Sequence, residues 1–164
     1  MKAVVQRVID ASVTVDGKVT GKIKSGLLVY LGVAADDTEK DALYLAEKIS
    51  NLRIFEDHQG KMNLSILDLI KMEESAEKTN KKTGILTVSQ FTLLAETAKG
   101  RRPYYGNAAD PEKAKALYEF FVHKISEQGI VSEAGVFQAL MDVTYTNEGP
   151  VTIVLDTQDS RNWI

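Results

Sequence analysis

The chain opens on an alternating run. Residues 2–8 and 11–15 place apolar side chains at near-alternate positions, which predicts one long strand or a bent pair. Asp16-Gly17 is a tight-turn dipeptide, and Lys18 to Ile23 is predicted to return as the hairpin partner. Gly26 to Val33 is a short apolar run with glycines near its ends, as a buried strand requires. The period then lengthens. Asp36 to Asp41 reads as a helix start, with Thr38 and Asp41 spaced as a capping box. Leu43, Ala46, Ile49 and Leu52 are its predicted apolar face. Asp57 to Lys61, with Gly60, reads as a turn, and Ile85 to Leu94 as the most strand-like central run. Asp110-Pro111-Glu112 is a strong helix opening: an N-cap, a proline in the first turn and an acid at the positive end of the helix dipole. Ala114, Leu117, Phe121 and Ile125 form the predicted buried face, and Gly129 the stop. Two more strands are predicted at 136–146 and 150–157, followed by a tail that is polar apart from Trp163 and Ile164.

Three stretches depart from these periods. Met72 to Gly84 is charged and nearly free of large apolar groups, and reads as an exposed extension, part of it helical. Residues 95–109 form a loop with a basic cluster and two tyrosines. Gly149-Pro150 sits between two strand-like runs, although proline gives no N–H to a ladder and glycine weakens one. Mostly antiparallel strands with two main helices predict a single α+β domain over 1–164, with a surface extension near 72–84.

Composition narrows the chemistry. The 164 residues suffice for one real core, and a net charge of −3 argues against a surface built for bulk nucleic-acid binding. A local basic patch stays compatible with that charge. No apolar run approaches a membrane span, the N-terminus has no apolar signal region and there is no cysteine, so the expected location is cytoplasmic. Only His58 and His123 are present, the first in a predicted turn and the second facing away from a helix core; each reads as an ordinary surface residue. No base can be placed for a Ser-His-Asp triad, no ligand cluster is spaced for zinc, and no glycine-rich phosphate loop occurs. No metal or cofactor is expected.

Three candidate stretches remain. Ser89-Gln90-Phe91-Thr92-Leu93 places polar groups inside a central run; on a strand, Ser89, Phe91 and Leu93 would face one way, Gln90 and Thr92 the other. On spacing alone, hydroxyls satisfied within the sheet are the commoner use of such residues. Gly149-Pro150 reads as an edge-strand feature or a bulge. Lys99, Arg101 and Arg102 suit phosphate, although a charge run is more often a solvated loop.

Together the chain resembles the D-aminoacyl-tRNA deacylases. The matching pieces, in family order, are "MKAVVQRV", "ASVTVDG", "NLRIFED", "GKMNLS", "SQFTL" at 89–93, "KGRRP" at 99–103 and "NEGPVT" at 147–152. The resemblance implies a homodimer of antiparallel sheets in a barrel-like core with flanking helices. It implies hydrolysis of the ester between a D-amino acid and the terminal adenosine of tRNA. In that family the Gly-Pro peptide is cis and reaches into the partner subunit's pocket, where its carbonyls face the substrate's α-amino group. Gly149 and Pro150 are then expected to bind substrate and to reject L-substrates by blocking one direction for the side chain. Glycine has no side chain to exclude, so glycyl-tRNA is expected to be cleared as well. Thr92 is either the nucleophile or, with Phe91, a donor of backbone N–H to the ester carbonyl. Ser89 and Gln90 shape the catalytic segment. Phe137, Ala139 and Met141 serve as pocket wall or core. Arg7 braces the Gly-Pro loop through carbonyl hydrogen bonds, Asn147 supports it, and Lys99, Arg101 and Arg102 contact tRNA. Three departures stand out: Glu148 where the family often has aspartate, Gln138 where glycine is common, and Leu94-Ala95 where a glycine usually follows the "SQFTL" run. The rival readings are a non-enzymatic dimer that holds nucleic acid on the Lys99–Arg102 loop, and a small-molecule binding module.

Overall fold

The computed structural model describes residues 1–75 and 83–161. Strand β1 (Lys2–Val15) is continuous, and the rest of the main sheet is built around it. One edge of β1 is shared between β3 (Ser25–Gly32), paired along residues 2–8, and β2 (Lys18–Ile23), paired along 11–15. Its other edge carries β8 (Asp142–Asp156) along almost its whole length. Beyond β3 come β6 (Thr83–Ser89) and β7 (Val131–Ala134), both added in parallel. The sheet is thus antiparallel around β1 and parallel beyond β3. A small hairpin, β4 (Phe55–Glu56) and β5 (Met62–Leu64), stands apart; Asp57 closes its turn by accepting from the N–H groups of Gln59 and Lys61 at 2.8 and 3.1 Å.

The sheet curls. A Cβ at Gly21 on β2 would lie 2.8 Å from the Ala134 carbonyl oxygen on β7, so β2 folds back across the far strands and only glycine fits there. Val8, Ala11, Val13, Ile23, Leu28, Leu86 and Val88 fill this curl as one apolar cluster. The larger cluster lies on the opposite face, beneath α1 (Glu39–Ser50) and α3 (Pro111–Ser126). Two shorter helices, α2 (Ile66–Ser75) and α4 (Thr157–Arg161), complete the α+β domain. At the sheet's edge, the Met1 ammonium is buried against Asp37 at 2.5 Å and Thr157 Oγ1 at 2.6 Å.

Both main helices start where their caps predict. Thr38 and Asp41 form the reciprocal box, and the Asp110 carboxylate accepts from the Lys113 N–H at 3.0 Å. The α1 face differs from the expected one: Ala42, Leu45, Ala46 and Ile49 are buried, while Leu43 is exposed. The expected strand 85–94 ends at Ser89, and Phe91–Leu94 is a 3-10 turn. The expected strand 136–146 begins only at Asp142, because 136–141 is a loop, and from there β8 runs on through Gly149-Pro150 as one bulged strand. Of the expected extension at 72–84, residues 72–75 end α2 and 83–84 begin β6; 76–82 lie outside the described residues, as do Trp163 and Ile164 of the tail.

Candidate active site

The site is made by the ending of a strand. Pairing between β3 and β6 stops at Leu31 and Ser89, and the Gln90 N–H gives its bond to the Leu31 carbonyl at 2.8 Å. The chain then winds into the 3-10 turn, whose first bond runs from the Leu93 N–H to the Gln90 carbonyl at 3.3 Å. The N–H groups of Phe91 and Thr92 precede that bond, and the opening N–H groups of a helical turn have no acceptor within it. Ser89, Gln90 and Phe91 line a cleft of about 830 Å³. Phe137, Gln138, Ala139, Leu140 and Met141 form the facing loop, while Pro111, Ala114 and Tyr118 of α3 close one side.

Two predicted groups therefore converge. The "SQFTL" segment meets Phe137, Ala139 and Met141 across one cleft, although the first is a turn rather than a strand. Thr92 is not among the lining residues; its hydroxyl accepts a hydrogen bond from Gln90 Nε2. The lining contains no carboxylate, imidazole, lysine or arginine. Its one phenol, Tyr118, is buried, which drives its pKa above the usual tyrosine value, and it donates to the Thr87 carbonyl at 2.8 Å. The sequence reading takes Pro111 only as a helix opener and Ala114 only as core, and gives Tyr118 no role. Their spacing on one helix face, 111, 114 and 118, was the available signal.

Gly149 and Pro150 lie elsewhere. Their peptide bond is cis, both residues are exposed, and neither lines the cleft of its own chain. Gly149 has φ +115°, where a side chain is strained, and a Cβ on it would lie 2.9 Å from Val151 Cγ2 and 3.1 Å from Arg7 Nη2. Asn147 ties the loop down: its amide nitrogen donates to the Arg7 and Val151 carbonyls, at 3.0 Å each. Arg7 is buried beneath the loop but does not hold it in the expected way. Its Nη1 donates to the Ile54 carbonyl at 2.7 Å, and its charge faces Glu148 at 3.2 Å and Glu56 at 3.9 Å. Support comes through these contacts rather than through the Gly-Pro carbonyls.

Lys99, Arg101 and Arg102 are exposed on a loop whose base is closed by paired backbone bonds between Glu96 and Tyr104, at 2.8 and 3.0 Å. None forms an ion pair among the described residues. His58 and His123 are both exposed, and His123 faces Glu127 at 3.0 Å. Among the described residues, no helix is long and apolar enough to cross a membrane.

Comparison with known proteins bears on this geometry. The family model for D-Tyr-tRNA(Tyr) deacylase matches residues 4–156. The D-aminoacyl-tRNA deacylase of Thermosipho melanesiensis is 55% identical over 96% of this chain and 98% of its own. That of Kosmotoga olearia is 55% identical, again over 96% and 98%. Among solved structures, the c-Myc DNA Unwinding Element Binding Protein superposes with a TM-score of 0.82 at 39% identity, covering 95% of this chain and 98% of that one. The class is that of hydrolases acting on ester bonds. Within it, the chain belongs to the D-Tyr-tRNA(Tyr) deacylase family.

Proposed function

We propose that the protein hydrolyses the ester joining a D-amino acid to the terminal ribose of tRNA. The aminoacyl-adenosine end enters the cleft between Ser89–Phe91 and Phe137–Met141, and a second copy's Gly149-Pro150 completes the pocket. Water adds to the ester carbonyl carbon, and the charge that develops on the carbonyl oxygen is met by the N–H groups of Phe91 and Thr92. The carbon–oxygen bond to the ribose then breaks, a proton originating from the water reaches the departing ribose oxygen through the 2′-hydroxyl, and free D-amino acid and tRNA leave. Side-chain direction decides handedness: the D path is open, the L path is blocked by the partner's backbone, and glycine passes. Ser89 and Gln90 shape the segment. Lys99, Arg101 and Arg102 contact tRNA phosphates. The setting for this chemistry is cytoplasmic.

The observation that carries this mechanism is a cleft lined by no carboxylate, imidazole or ammonium and bordered by the start of the turn at Phe91. A nucleophilic Thr92 would need a base, and its hydroxyl is engaged by an amide instead. Release of D-tyrosine from D-Tyr-tRNA is the test. Thr92→Ala should keep activity within about ten-fold of wild type, where loss of a nucleophile costs several powers of ten. Gly-tRNA should be cleaved and L-Tyr-tRNA spared. Abolished turnover in Thr92→Ala, with the fold intact by circular dichroism, would return the role of nucleophile to the hydroxyl.

A further inference from the structure

An aromatic pair stands at the mouth of the cleft without a task in the mechanism above. Phe91 is 59% exposed, and its ring meets that of Tyr105 edge to face, with centroids 5.1 Å apart and planes at 65°. Tyr104 beside it is 62% exposed. Large exposed aromatics in a row carry a solvation cost that a free surface does not reward. The basic loop springs from the same place: one arm continues from Phe91–Leu94, and the other returns through Tyr104 to Tyr105. Lys99, Arg101 and Arg102 crown it without a carboxylate partner among the described residues.

Aromatic faces flanked by unpaired cations are what a single-stranded nucleic acid needs, bases stacking on the rings and phosphates following the charges. We infer that Phe91 and Tyr105 stack the unpaired nucleotide immediately 5′ of the terminal adenosine, while the loop 96–104 contacts the phosphates leading to it. This rests on the deacylase reading, in which the adenosine itself occupies the cleft that Phe91 borders. Continuity with the cleft and complementarity of charge favour nucleotide over protein as the occupant. Tyr105 then measures how much of the tRNA end is present, and contributes to substrate affinity rather than to bond breaking.

The test compares D-Tyr-tRNA with D-tyrosyl-adenosine, the fragment that lacks the extra nucleotide. Tyr105→Ala should raise KM for the tRNA about ten-fold, the size of one lost base stack, at unchanged kcat. It should leave kcat/KM for the adenosine ester unchanged, and Tyr105→Phe should restore the tRNA value. Binding of the trinucleotide CCA to the intact protein gives a readout independent of turnover: Tyr105→Ala should weaken it about ten-fold and leave adenosine binding alone. Equal losses on the long and short ligands, or no loss on either, would overturn the inference. So would dissociation of a dimer in Tyr105→Ala with CCA affinity intact, which would assign the ring to a subunit contact. If the wild type released no D-tyrosine while CCA binding still depended on Tyr105, the deacylase reading would fail and the stacking platform would stand.

Discussion

Gln138 lies on the rim of the cleft at φ +63°, in the left-handed region. A side chain costs about 1–2 kcal/mol there, and glycine avoids this cost. The backbone conformation is held here with the less comfortable residue. Gln138→Gly should therefore stay within about 1 kcal/mol of the parent, relief of crowding being offset by the greater freedom of an unfolded glycine. Gln138→Val, which stiffens the same position with a branched Cβ, should lose about 1–2 kcal/mol. Urea midpoints at constant slope decide between them, and equal midpoints for both variants would mean that the loop refolds around either residue. At this scale the sequence spoke clearly wherever one side chain acts locally. The caps at Thr38 and Asp110 follow from residues within a few positions. Arg7 did not, because its partners Ile54 and Glu56 come from a hairpin that the local pattern shows only as a turn.

At the scale of elements, local period and long-range pairing part company. The α3 face was legible because it repeats within one helix. For α1, a spacing of three drifts off the 3.6-residue period: the expected Ala46 and Ile49 are buried, but Ala42 and Leu45 join them and Leu43 faces solvent. The end of β6 was hidden for another reason. Ile85 to Leu94 is apolar enough for one strand, but β3 offers no pairing beyond Gly32, and the chain must turn. The two parallel additions, β6 on β3 and β7 on β6, join segments with long intervening chain, and no local period encodes them. The turn at Phe91–Leu94 exists because of that long-range limit, which is why a local reading takes the segment for a strand. The basic loop is an element with a separable role. Replacing Arg101 and Arg102 by alanine should lower the slope of log affinity against log salt by about 1.4 for a single-stranded CCA-ended oligonucleotide, two lost phosphate contacts at about 0.7 each. Fluorescence titration from low to moderate salt measures this, and an unchanged slope would release the loop from phosphate binding.

On the scale of the whole molecule, the two halves of the site proposed above do not meet within one chain. The cleft lies at the ends of β3 and β6; the Gly149-Pro150 loop stands exposed on β8, whose outer edge is unpaired among the described residues. A long unpaired edge invites another chain, and a two-fold pair would repeat each half twice. If the halves join across subunits, damage in one can be repaired by damage in the other. Pro150→Gly spoils the loop and leaves the cleft; Ala139→Trp fills the cleft and leaves the loop. Each variant alone should be inactive on D-Tyr-tRNA. Coexpressed with distinct tags, they form mixed dimers in which one of two sites pairs an intact cleft with an intact loop. Random pairing makes half the dimers mixed, so about a quarter of the wild-type rate should return. Activity should follow the doubly tagged species through tandem purification. A mixture as inactive as its components, with mixed dimers present by mass, would mean that each chain completes its own site.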